Sequence, residues 1–86
     1  MEAFHFGEWL KREIQKQALS QWDFALKHRI KLATLKWWLA LPAPNILTYR
    51  VAHLARALKM PLEDLEAVLA KAKEANPPKV RDTIAS

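Results

Sequence analysis

Leu19–Pro44, LSQWDFALKHRIKLATLKWWLALPAP, is the stretch that decides the fold. Its Ser20 can accept a hydrogen bond from the amide of Asp23, three residues on, while the Asp23 carboxylate bonds back to the Ser20 amide. This capping-box arrangement predicts a helix starting at Gln21. Phe24, Ala25 and His28 form the inner face of that helix. It is short, because the apolar pattern changes phase at Arg29-Ile30. A second helix is predicted from about Lys31 to Ala40, with Leu35 and Trp38 on one face. Leu41-Pro42-Ala43-Pro44 cannot continue it, since proline lacks the amide and restricts the residue before it.

Upstream, in FHFGEWLKREIQKQ, Phe6, Leu10 and Ile14 recur every four residues and share one face, flanked by Trp9, which predicts an amphipathic helix. Downstream, Asn45 is a candidate N-cap for a fourth helix with Leu47, Val51, Leu54 and Leu58 inward and Ala52 and Ala55 small enough for close packing. Pro61 suits the first turn of a fifth, where its missing amide costs nothing, and Glu63 and Asp64 meet the positive end of its dipole. Leu62, Leu65, Leu69 and Ala72 give its inner face. After Ala75, the break at Asn76-Pro77-Pro78 leads into a polar tail, 76–86, expected to be flexible. The expectation is one all-α domain over 1–75, built from five short helices around a single core.

Composition narrows the remaining possibilities. At 86 residues there is room for one small domain, and 51% hydrophobic residues suffice for a core. No cysteine means no disulfide framework and no thiolate zinc site, consistent with an intracellular, cytoplasmic protein. The single glycine, Gly7, cannot make a phosphate-cradling loop, and the two-residue hairpin signals Asn-Gly, Asp-Gly and Gly-Gly are absent. The chain shows neither a membrane-spanning apolar run nor the layout of a signal peptide. No nucleophile–base set is visible and His5, His28 and His53 are scattered, so neither an enzyme, a cofactor nor a metal site is expected. His28 is expected to be a satisfied core histidine and His53 to sit on the polar side of the fourth helix.

Charge points toward a partner. Lys and Arg total 14 against 9 Asp and Glu, a formal +5. No acidic residue occurs between Asp23 and Glu63, whereas Lys27, Arg29, Lys31, Lys36, Arg50, Arg56 and Lys59 all do. Two short helices joined by a tight turn within a basic stretch match the geometry of a DNA reader, one helix entering the major groove while the other braces it.

The ordered set Leu19-Ser20-Gln21, Phe24-Ala25, Ile30, Leu35, Trp38 and Pro44 resembles the helix-turn-helix of the XRE family, the Cro-like phage repressors and their relatives. Leu54-Ala55-Arg56-Ala57-Leu58 and Met60-Pro61-Leu62-Glu63-Asp64-Leu65 look like the fourth and fifth helices of the same family, so the resemblance spans roughly Phe6 to Leu69. It implies a five-helix lambda-repressor-like DNA-binding domain with the helix-turn-helix at helices 2 and 3. The implied function is a sequence-specific transcriptional regulator, a small homodimeric repressor that binds double-stranded DNA.

Base contacts are implied for Lys31, Leu32, Ala33, Lys36 and Trp37. Lysine can reach guanine O6 and N7, and Leu32 or Ala33 a thymine methyl. Phosphate contacts are implied for Gln21, Asn45, Thr48 and Tyr49, with Lys27 and Arg50 as charge support. By analogy, Ala67 and Val68 on helix five are a candidate dimer contact.

Three positions depart from the family pattern. Arg29 stands where a glycine usually takes positive φ, Leu41 where a helix-ending glycine is frequent, and Lys31 where a serine often caps. The outward face of helix three is also poor in hydrogen-bonding groups. Trp22 and Leu26 lie one turn apart on the outer face of helix two. With Trp9 they could form an apolar patch, but tryptophan is seldom fully exposed, so Trp9 and Trp22 are expected at core edges. Exposed instead, Trp22, Leu26 and Trp37 would mark a protein partner, and the chain would be a helix-turn-helix-fold interaction module.

Overall fold

The structure, a computed structural model, describes residues 4–76. Among the described residues there are five helices and no strand: α1 (Phe6–Lys16), α2 (Gln21–Lys27), α3 (Leu32–Ala40), α4 (Thr48–Ala57) and α5 (Leu62–Ala75). The part of the expected tail beyond Asn76 lies outside the described residues.

Helix α1 is the hub, packing on α2, α3 and α5. Its predicted stripe of Phe6, Leu10 and Ile14 is buried, and Trp9 lies half-buried with its ring 5.4 Å from that of Phe6. The His5 ring caps the helix, Nδ1 accepting from the Glu8 amide at 3.1 Å. Helix amides at this end have no partner within their own first turn. Two find theirs beyond the end of α3: Phe6 N–H donates to the Pro42 carbonyl (2.8 Å) and Gly7 N–H to the Leu41 carbonyl (3.0 Å). The approach is so close that a Cβ on Gly7 would overlap the Leu39 carbonyl. Glycine is required here for contact, in the absence of any special backbone angle.

Helix α2 begins as predicted, with Ser20 Oγ accepting from the Asp23 amide at 3.1 Å. Only this half of the capping box forms; Asp23 stands exposed in the first turn. The turn into α3 closes by a Schellman arrangement, Ile30 N–H to the Ala25 carbonyl (2.9 Å) and Arg29 N–H to that of Leu26 (3.3 Å). Arg29 takes φ 56°, the left-handed conformation expected from its place in the turn. Lys59 repeats the device after α4, and Ala18 is also left-handed after α1.

Helix α3 buries Leu35, Trp38 and Leu39 and has no side-chain cap at Lys31. Leu41 is extended (φ −105°, ψ 142°), as a residue before proline prefers. Leu32, expected on the outward face, is half-buried instead. It packs against the core, and shares a cleft with Trp22, Leu26 and Ile30 on the side toward α2.

The fourth helix starts later than the sequence predicts. Asn45 is exposed and outside it, and the N-cap is Leu47, which makes no side-chain cap bond. Burial of Pro44 and half-burial of Ile46 hold the chain extended up to Leu47, whose carbonyl accepts from Arg50 and Val51. Lying before the helix, Leu47 is 59% exposed; at the start of α5, Leu62 is 39% exposed. Neither belongs to the inner face assigned to it. Val51, Leu54 and Leu58, and then Leu65, Leu69 and Ala72, are buried and pack α4 with α5.

Side-chain bonds also tie distant parts of the chain together. Gln17 Nε2 donates to the Ala57 carbonyl (2.9 Å), and Asn76 Nδ2 to the carbonyls of Phe4 (2.6 Å) and Ala72 (3.0 Å). Asn76, assigned to the flexible tail, is therefore the C-cap of α5 and ties it to the start of α1.

Gly7→Ala should cost about 3 kcal/mol or more, because backbone rather than a pliable side chain opposes the added methyl. Chemical denaturation measures this, and a loss below about 1 kcal/mol would show that α1 can shift away. Arg29→Gly should instead stabilise by roughly 0.5–1 kcal/mol, since Cβ strain in the left-handed region outweighs the entropy that glycine adds to the unfolded chain.

Candidate nucleic-acid interface

The exposed side of α3 carries Lys31, Ala33, Lys36 and Trp37. Its burial pattern follows directly from the helix period: with Leu35, Trp38 and Leu39 turned inward, these four positions face out. Trp37 is 52% exposed.

A cleft lies on each side of this helix and a third at its start. The first, between α2 and α3 and floored by α1, is lined by Gln21 and Lys36 together with Lys11, Gln15, Ser20 and Trp22. The second, between α3 and the segment entering α4, is lined by Ala33, Thr34, Trp37 and Trp38 on one wall and Asn45, Ile46, Leu47 and Arg50 on the other. The third joins Arg29 and Lys31 to Arg50 and His53. No carboxylate lines any of the three.

The structure thus brings Gln21 to Lys36, and Asn45 and Arg50 to Ala33 and Trp37, and it sets Lys31 beside Arg50. Lys27, Thr48 and Tyr49 are exposed but line none of these clefts. Tyr49 instead lies under the Arg50 guanidinium, 5.5 Å from carbon to ring centre. Lys11, Gln15, Arg29 and His53 join the site without having been singled out for it. Lys11 and Gln15 sit one turn apart on α1, a spacing visible in the sequence, although their nearness to Lys36 depends on tertiary packing.

The histidines behave differently from the sequence reading in one respect. His53 is exposed, as expected, and its Nε2 donates to the His28 carbonyl at 2.6 Å. His28 is half-buried at the C-cap of α2, stacked 4.6 Å from Phe24, and its buried Nε2 has no hydrogen-bond partner. It is not the satisfied core histidine expected. Burial lowers its pKa below the ordinary 6.5, and the charges of Lys27, His53 and Lys59 lower it further. His28 therefore adds no charge to the basic face at neutral pH.

The expectation that Trp9 and Trp22 tuck into core edges holds for Trp9 and fails for Trp22. Trp22 is 58% and Leu26 63% exposed. Helix α2 turns Phe24 and Ala25 into the core, and Trp22 and Leu26 are covered only in part, along the cleft they share with Leu32. No helix among the described residues is long and apolar enough to cross a membrane.

Comparison with protein-family models, with curated proteins and with solved structures finds no match to this chain.

The lowered pKa of His28 sets a pH dependence of stability. In the window below 6.5 the unfolded chain binds the proton more readily than the folded one. Stability is therefore full above the ordinary histidine value and falls as pH drops toward the lowered folded value. Melting temperature should decrease from about pH 7.5 to about pH 5, and His28→Phe, which keeps the stacking on Phe24, should flatten that slope. An unchanged slope in the variant would assign the effect to other groups.

Proposed function

We propose that this chain is a small, sequence-specific DNA-binding transcriptional regulator of the XRE type on a lambda-repressor-like fold. In this reading α3 enters the major groove and α2 braces it. The observation that carries the proposal is the cation-lined, carboxylate-free surround of α3, in which Lys31, Lys36 and Arg50 join Gln21 and Asn45. A phosphate backbone supplies the anions such a surface lacks. Lys31 and Lys36 are the base-reading candidates, with Ala33 and Trp37 offering apolar contact to thymine methyls. Gln21, Asn45 and Arg50 are placed to hold phosphates on either flank. Lys27, Thr48 and Tyr49 serve the backbone at the periphery, as neighbours of these groups.

Working as a cytoplasmic homodimer, two copies would set their α3 helices ~34 Å apart on successive major grooves. Ala67, exposed on α5, and half-buried Val68 are the candidate dimer contact.

A second reading is favoured by one observation, the exposure of Trp22 and Leu26 on the outer face of α2. An apolar pair of this size commonly marks a protein partner, so the same fold would serve as an interaction module through Trp22, Leu26 and Trp37.

Selection from random-sequence duplexes, at low and then physiological salt, separates the two. The DNA reading expects a recovered motif with two-fold symmetry and a steep salt dependence. Lys31→Gln and Lys36→Gln should each weaken binding by about tenfold and lessen the salt slope by about one, whereas Lys71→Gln on α5 should change little. Sequence-indifferent binding, or equal losses from all three changes, would overturn it. The interaction reading would then predict that Trp22→Ser and Leu26→Ser abolish partner capture.

A further inference from the structure

The cleft between α3 and the segment entering α4 has features that a phosphate backbone does not account for. Its volume is about 460 Å³, within the range of small-molecule sites. Trp37 and Trp38 form one wall, and Ile46 and Leu47 the other. The cleft opens where α3 faces the segment entering α4, above the core that both helices share. Trp37 at 52% and Leu47 at 59% exposure leave the interior open to solvent.

Of the side chains with hydroxyl, amide or charged groups that line the cleft, Thr34, Asn45 and Arg50, only Arg50 is charged. Arg50 is half-buried, and no carboxylate pairs with it among the described residues. Its guanidinium lies over the ring of Tyr49, and it shares the adjoining cleft with Lys31 and His53. An apolar cleft walled by two tryptophans, with one fork-shaped cation free of any carboxylate partner among the described residues, is complementary to a flat aromatic body bearing one carboxylate. The body would lie between Trp37 and Leu47, and the carboxylate would take two parallel N–H bonds from the guanidinium.

We propose that this cleft binds planar aromatic carboxylates of low molecular mass. Trp37 provides the stacking face, Arg50 the anion contact, and Asn45 an amide that can bond a second polar edge. The site itself stands independently of the DNA reading. Trp37 and Arg50 also belong to the face proposed to meet DNA, so occupancy and DNA binding would exclude one another; that consequence rests on the DNA reading.

Two-dimensional NMR of the full chain without DNA tests the site, using naphthalene-2-carboxylate and its uncharged amide as probes. The four tryptophan indole N–H signals act as local reporters. The carboxylate should move those of Trp37 and Trp38 and leave those of Trp9 and Trp22 in place, with a Kd on the order of 1 mM or tighter. At equal concentration the amide should give an initial slope about tenfold smaller, and Arg50→Gln should remove the acid's advantage. The acid–amide comparison uses the unaltered protein, so it decides even where Arg50→Gln fails to fold. Signals of Trp37 and Trp38 unmoved at ~5 mM acid would overturn the proposal, as would equal slopes for acid and amide or shifts centred on Trp22. Because no DNA is present, failure here leaves the duplex-binding result standing, and failure of duplex binding leaves this result standing.

Discussion

The contact between Gly7 and the carbonyls trailing α3 is the constraint on which the rest of the molecule depends. The backbone of α1 comes close enough for its Phe6 and Gly7 amides to be satisfied by Pro42 and Leu41, so one helix's unpartnered start is completed by another's unpartnered end. Proline at position 42 forces α3 to stop where those carbonyls can turn outward, and glycine at position 7 lets α1 reach them. With α1 seated there, its stripe of Phe6, Leu10 and Ile14 is committed to the core, and its contacts with α2 and α5 follow. The orientation of α3, and with it the outward set Lys31, Ala33, Lys36 and Trp37, derives from that junction.

Much of this architecture was legible in residue order. The burial of Phe6, Leu10 and Ile14, the cap at Ser20, the left-handed Arg29 and the proline stop after α3 are all local events, governed by neighbours within a few positions. What escaped reading depends on distant partners. The sequence shows that Gly7 is alone, but only the packed structure shows which backbone approaches it. The His5 cap was hidden because imidazole is not among the usual capping groups. Asn45 looked like a cap by chemistry, yet the anchoring of Pro44 and Ile46 moves the helix start beyond it.

The same division runs through the site. The outward positions of α3 could be read from helical period alone, apart from Leu32, which α2 draws half inside. Lys11, Gln15, Arg29 and His53 come to the site from three other parts of the chain, and no pattern local to any of them announces the meeting. The exposure of Trp22 and Leu26 depends on what the finished fold leaves uncovered, which no property of α2 by itself determines.

The segment from Leu41 to Leu47 has a mechanical meaning. With Pro42 and Pro44 in it, the stretch that joins α3 to α4 is a stiff strut. Pro44, midway along it, is buried, whereas its far end at Leu47 is exposed. The strut is thus anchored at its middle and open at its tip, where it meets Trp37 across the cleft.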